Sequence, residues 1–271
     1  MDRYLEHAHA KLRSPGTAEH HANRIGPWLV GRRASEAREV AAAISGDMAG
    51  KYAIATINRS LGTLKKALTL AFDKRMTAHN YGADIKRERE HNERDVFLTI
   101  DEVKAVADHA SAQVRAAIWM ALYTGCRRGE ILALTQHDIG ADTLTIRAVT
   151  TKTQKARMVP IVAPLRPWLA YVPLAINFEG LKTGFRRARV AAGMPHVTFH
   201  DLRRSCGTLM IQAGVDLYVV SKLLGHSSVA VTQKRYGLLQ IDKVREGLDR
   251  TFAPPITPAA KRSKNKKRAS A

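Results

Sequence analysis

The sequence predicts a mainly α chain of two domains with one small β-hairpin, and three observations carry that prediction. Apolar residues at Ile54, Ile57, Leu61, Leu64, Leu68 and Ala71 recur at helical spacing. One alternating pair, Thr143-Leu144-Thr145-Ile146-Arg147 and Arg157-Met158-Val159-Pro160-Ile161, flanks a polar turn. Between these regions the charged stretch Lys86 to Asp95 has little to bury and reads as a linker. The expected division is an N-terminal helical domain over residues 1–85, a linker over 86–96, a second domain over 97–252 and a basic disordered tail over 253–271.

Each element has a local reason. The apolar stripe predicts an amphipathic helix over residues 51–75, with Arg59, Lys65, Lys66 and Lys74 on its remaining surface. Thr99-Ile100-Asp101-Glu102 has the spacing of a capping box and opens the second domain. Ala116 to Tyr123 is an apolar helix that leads through Gly125 to Arg127, and Arg128 to Leu134 starts another. The hairpin follows, centred on Lys152. His200 to Ala213 reads as a helix that stops at Gly214, where glycine supplies a left-handed cap. Asp216 to Leu224 gives the next helix, with Gly225-His226 at its end, and residues 241–249 form a short helix before Pro254, Pro255 and Pro258.

The chain has 271 residues, a formal charge of +20, 45% hydrophobic residues and two cysteines. That length suits two modest domains with real cores. The surplus of positive charge points to a polyanionic partner, for which double-stranded DNA is the natural candidate. Residues 261–268 hold six of the basic groups, and removing them leaves +14, so the body of the chain is basic too. No apolar run approaches the ~18 to 20 residues that span a bilayer, and the first residues lack a signal pattern. Two distant cysteines suit a reducing compartment. The expected location is the bacterial cytoplasm, at the nucleoid while acting on DNA.

Four motifs stand in order along the second domain: Thr124-Gly125-Cys126-Arg127-Arg128-Gly129-Glu130, then Thr151-Lys152-Thr153-Gln154-Lys155, then His200-Asp201-Leu202-Arg203, then Leu224-Gly225-His226 with Tyr236 ten residues further on. A phosphodiester under attack carries negative charge on its non-bridging oxygens, and guanidinium forks meet such oxygens in pairs. Only about 0.1% of a tyrosine hydroxyl is phenolate at neutral pH, so a nucleophile of this kind needs cationic neighbours. His200 and Arg203 lie three apart on one helical face. A zinc site built from His200, His226, Cys126 and Cys206 lacks metal-ligand spacing, and no phosphate-cradling glycine loop is present. No metal and no cofactor are expected.

In this order and spacing the motifs resemble those of the tyrosine recombinases of phage-integrase type, weakly from about Tyr4 to Arg75 and strongly from Thr99 to Tyr236. The resemblance implies a helical core-binding domain that grips DNA opposite a mixed, mostly helical catalytic domain. It implies that Arg127 and Arg203 clamp the scissile phosphate, that His200 and His226 hydrogen-bond it, that Lys152 is general acid to the leaving 5′-oxygen, with Lys155 as second choice, and that Tyr236 becomes joined to DNA. Glu130 would orient Arg127. Arg59, Lys65, Lys66, Lys155 and Arg204 are the expected further DNA contacts. The implied assembly is a homo-tetramer on two DNA sites, with an accessory directionality protein as an expected partner. A start almost at Met1 would leave no room for the additional arm-site DNA-binding domain of some phage integrases, so the expectation is either a member that works without it or a shortened chain.

The resulting expectation is a site-specific DNA recombinase acting in integration or excision of a mobile element through a 3′-phosphotyrosyl intermediate. A Xer-like resolvase, a type IB topoisomerase-like enzyme and a catalytically inactive DNA-binding relative share parts of the same signature.

Overall fold

The computed structural model describes residues 1–12, 15–90, 96–148 and 156–226, and the chain divides into two compact units, residues 1–94 and 95–271. Among the described residues the first unit holds α1 (Asp2–Lys11), α2 (Pro15–Ile25), α3 (Ala37–Met48) and α4 (Ile54–Asp73). The predicted 51–75 helix is therefore α4. Its Ile57, Leu61 and Leu64 are buried against Ile25, Val40, Ile44, Met48 and Ile85, each burial contributing on the order of 1.5–3 kcal/mol. Further along α4, Ala67 and Leu70 pack on a satellite cluster of Tyr4, Ala8 and Ala18.

The charged stretch after α4 departs from a free linker at its start. Asn58 of α4 donates to the Glu88 carbonyl at 2.8 Å and to Glu90 Oε1 at 2.9 Å, and accepts from the Glu88 amide at 2.9 Å. A buried amide satisfied on both sides ties residues 88–90 to the first unit. Residues 91–95 lie outside the described residues, as do the tail and the expected 241–249 helix.

The second unit is built around α6 (Ala112–Thr124), whose apolar residues face all round: Val114, Ala116, Ala117, Ile118, Met120, Ala121 and Leu122 are all buried. A helix apolar on every side belongs in the middle of a core. Around it stand α5 (Ile100–Asp108), α7 (Arg128–Leu132), α8 (Arg166–Leu169), α9 (Phe178–Ala191), α10 (Phe199–Gln212) and α11 (Leu217–Leu224). The small alanines of α6 let α10 lie along it, and α9 comes close at Gly184, where a Cβ would sit 2.6 Å from Val114. The predicted cap is formed: the Glu102 amide donates to Thr99 Oγ1 at 3.2 Å and the Thr99 amide to Glu102 Oε2 at 2.8 Å.

The hairpin consists of β1 (Thr143–Ile146) and β2 (Arg157–Pro160), antiparallel with Leu144 opposite Val159 and Ile146 opposite Arg157. Leu144, Ile146 and Val159 are buried, so one face of the ribbon closes the core. Arg157 has the strand parity of Val159 and faces the same way. Its turn, with Lys152 and Lys155, lies outside the described residues.

Candidate active site

The site begins where α6 stops. Thr124 Oγ1 donates to the Met120 carbonyl at 2.5 Å and accepts from the Cys126 amide at 3.1 Å, which turns the chain out of the helix. Gly125 takes a left-handed φ of 62°, and a Cβ there would meet Leu224 Cδ2 at 2.5 Å. Glycine is required twice over, by the backbone and by the end of α11 lying against it. The turn delivers Arg127 just before α7. Glu130 then folds back, accepting from the Arg127 amide at 2.9 Å and from Arg127 Nη1 at 2.8 Å.

Two further arginines reach the same place from distant parts of the chain. Arg157, on β2, donates through Nη2 to Glu130 Oε2 at 2.7 Å and to Cys126 Sγ at 3.5 Å, and through Nε to the Leu223 carbonyl at 2.9 Å. Arg203, on α10, donates through Nη1 to the Gly125 carbonyl at 2.7 Å and through Nη2 to the Leu224 carbonyl. The last carbonyls of a helix have no partner within it and sit at the negative end of its dipole. Here α11 gives two of them, Leu223 and Leu224, to guanidinium groups. Gly225, at φ 63°, then ends the helix, and a Cβ on it would press on Arg157 at 3.2 Å. His226 follows, its amide bonded to the Ser221 carbonyl at 3.1 Å.

The electrostatics of this junction are unbalanced. Three guanidinium groups, with side-chain exposures of 26% at Arg127 and 9% at Arg157 and a residue exposure of 3% at Arg203, surround one carboxylate, Glu130, at 1%. Burial pushes the Glu130 carboxyl up, but the Arg157 and Arg127 donors outweigh it and hold the group below its ordinary value. Arg203 shows the strain of the excess: burial first, then the Arg127 and Arg157 charges, bring its pKa down to about 10. It stays charged at neutral pH. Burial raises both nearby thiols, Cys206 to about 12, so neither is a ready nucleophile.

Of the sequence-predicted residues, the structure brings Arg127, Glu130, Arg203 and the His226 end of α11 to one junction. His200 is in the first turn of α10, exposed, one turn before Arg203 on the same face. Lys152, Lys155 and Tyr236 lie outside the described residues. In the first unit Arg59 and Lys66 are exposed on α4, whereas Lys65 is half-buried with Nζ 3.4 Å from the Ile85 carbonyl. Arg204, expected to face DNA, is turned inward instead. Its side chain is 16% exposed and Nη1 lies 3.4 Å from Asp201 Oδ1, because i and i+3 on α10 share a face and Asp201 is fully buried.

Arg157 was not among the predicted site residues. Its signal was present in the sequence as a charged residue at a strand position whose parity points into the core, where an arginine needs a buried acid. Among the described residues no group of three or more His, Cys, Asp or Glu side chains is placed to hold a metal ion, and no helix is long and apolar enough to cross a membrane.

The fold is a helical unit followed by a mostly helical unit with one hairpin, in which arginines from a loop, a strand and a helix meet at a helix C-terminus. Solved structures agree on the fold. A lambda integrase tetramer bound to a Holliday junction superposes with a TM-score of 0.73 at 19% identity, covering 86% of this chain and 75% of that one. The Tn1549 transposon integrase in complex with transposon right end DNA gives 0.64 at 18% identity, covering 91% and 97%. In sequence, residues 175–240 match the phage integrase family. Tyrosine recombinase XerC of Methylobacterium sp. (strain 4-46) is 39% identical over 142 residues, 44% of this chain and 43% of its own length. XerC of Bifidobacterium longum (strain DJO10A) is 34% identical over 173 residues, 53% and 48%. Prophage integrase IntF of Escherichia coli (strain K12) is 31% identical over 143 residues, 46% and 30%. The sequence likeness is thus to tyrosine recombinases and a prophage integrase over part of each chain, and the structural likeness is one of fold. Its matches span about half the length of the XerC relatives or less.

Proposed function

We propose that this protein is a site-specific DNA recombinase that cleaves and rejoins strands through a 3′-phosphotyrosyl intermediate. The observation that supports this most is the surplus of guanidinium over carboxylate at the junction of α6, α10, α11 and β2. Packing three arginines around one buried glutamate is unfavourable unless a further anion arrives, and a DNA phosphate is an anion of matching geometry. The +20 formal charge gives such a partner a long-range attraction.

In this reading Arg127, held by Glu130, and Arg203 bind the non-bridging oxygens of the scissile phosphate, and His200 and His226 hydrogen-bond it. The Tyr236 oxygen attacks phosphorus and passes its proton to one of the two histidines as the bond from phosphorus to the 5′-oxygen breaks. Lys152 gives that leaving oxygen a proton. A 5′-hydroxyl from a partner duplex then reverses the step, so bond energy is kept in the phosphotyrosine. The known tetramer of lambda integrase on a Holliday junction supports a tetramer on two duplexes for this chain, with an accessory directionality protein selecting the outcome.

The test is Tyr236→Phe on nicked duplexes tiled across the DNA flanking the protein's own gene. The variant should retain DNA binding and form no covalent complex, since only the attacking oxygen is lost. A covalent complex that persists in the variant rejects the assignment.

A further inference from the structure

We propose that Arg157 is a positioning residue of the candidate active site: it fixes the carboxylate that orients Arg127 and, with the same guanidinium, fixes the end of α11 that presents His226. This rests on the recombinase reading for its consequence in cleavage, but its geometric content stands apart from that reading.

The geometry divides the labour. Glu130 has two oxygens and three donors: Oε1 takes Arg127 Nη1 at 2.8 Å, and Oε2 takes the Arg127 amide at 2.9 Å and Arg157 Nη2 at 2.7 Å. Without Arg157 the carboxylate keeps its own loop but has nothing to hold it toward β2. The third bond is therefore the one that relates the loop to the hairpin. Through Nε, 2.9 Å from the Leu223 carbonyl, the same planar fork also fixes the last turn of α11. A guanidinium can make both bonds at once because its donors diverge in one plane, which an ammonium cannot do. The tight fit of Gly225 against the Arg157 side chain, 3.2 Å from a would-be Cβ, leaves little slack at the residue before His226.

Arg203 does not duplicate this role. Its guanidinium donates to the Gly125 and Leu224 carbonyls, so it joins α10 to α11 and to the loop after α6 and meets Glu130 through charge rather than a direct bond. Arg157 joins the hairpin to both. β2 and the loop bearing Arg127 are thus linked through one side chain at the base of the strand.

The groups facing Glu130 are Arg127 and Cys126 from the loop after α6, Arg157 from β2 and Arg203 from α10. Loss of Arg157 removes the closest counter-charge from a carboxyl that burial already pushes upward. Its titration should then move up, and protonation would release Arg127 as pH falls through the new value. A group that merely filled space would leave that titration where it was.

The experiment compares wild type, Arg157→Met and Arg157→Lys. Nuclear magnetic resonance on the protein alone follows the Glu130 side-chain carboxyl through a pH series and the Arg127 Nε–H resonance. In Arg157→Met the Glu130 midpoint should rise by at least about one pH unit, and the Arg127 resonance should broaden or move. In Arg157→Lys the Glu130 midpoint should stay near wild type, because a cation is kept, while the His226 amide resonance moves with loss of the bond to Leu223. If Arg157→Met does not fold, the Lys variant decides: an unshifted His226 amide overturns the proposal. Equal Glu130 midpoints in wild type and a folded Met variant also overturn it.

Cleavage of the tiled nicked duplexes supplies the second arm. At saturating protein, Arg157→Met should form covalent complex about tenfold to a hundredfold more slowly than wild type, with Arg157→Lys partly restored. The deficit should grow at lower pH, and it should lose that pH dependence when Glu130→Gln is added, which separates Glu130 from the two histidines. Wild-type rates in a folded Arg157→Met defeat the inference. Failure of the wild type to form any covalent complex defeats the recombinase reading and leaves the spectroscopic arm to judge Arg157.

Discussion

The starts of α5 and α7 share a local design and differ at the N-cap. Both place an acidic side chain three positions after the N-cap, where its oxygen accepts the N-cap amide: Glu102 for Thr99 at 2.8 Å, Glu130 for Arg127 at 2.9 Å. The same return bond recurs from Asp138 to Thr135 and from Asp201 to Thr198. At three of these starts the N-cap is threonine, whose hydroxyl completes a self-contained cap. At α7 the N-cap is arginine, which has no acceptor and cannot complete it. The carboxylate is freed from a purely local duty and becomes the meeting point of two guanidinium groups. An arginine N-cap alone does not make a site, since the Arg33 amide donates to Glu36 at 2.6 Å at the surface; burial of Glu130 between two guanidinium groups does.

The sharpest way to break that contrast is to remove the two acids in turn. Glu130→Ala should destabilise the protein by about 3–5 kcal/mol, since two arginines are left facing a buried gap, whereas Glu102→Ala should cost about 1 kcal/mol as an exposed cap residue. Urea unfolding of the two variants measures the difference. Equal losses would mean that Glu130 is only a cap.

Arg203→Ala should slow covalent complex formation about a hundredfold or more, comparable to losing a preorganised donor in other phosphoryl or acyl sites. Single-turnover rates on nicked duplexes check it, with Arg204→Ala as the contrast, because Arg204 is turned toward Asp201. Gly125→Ala should lower stability by about 1–3 kcal/mol, from a left-handed backbone and a clash with Leu224. Thermal melting reports it. Thr99→Ala should give the smallest effect, about 1 kcal/mol of stability with cleavage unchanged.

What the sequence made legible follows from range. The cap at Thr99, the left-handed glycine at 214 and the α4 stripe are local patterns, and each appears in the structure where expected. Arg127, Glu130, Arg203 and His226 could be grouped by motif order alone. Their junction could not be drawn, because it depends on Arg157 reaching Glu130 across 27 positions and Leu223 across 66. The inward turn of Arg204 was likewise hidden: an arginine next to Arg203 looks like a DNA contact until Asp201 is known to be buried beneath it. The attachment of residues 88–90 to Asn58 was invisible for the same reason, since a charged stretch shows no apolar period by which to place it.

The central claim is that the arginine junction serves a phosphodiester attacked by Tyr236. Peptide mapping by mass spectrometry of the wild-type protein trapped on the tiled nicked duplexes tests it most directly. The account predicts a nucleotide remnant attached through its 3′-phosphate to Tyr236. A remnant on any other side chain, or no covalent adduct across the tiled DNA, would contradict it.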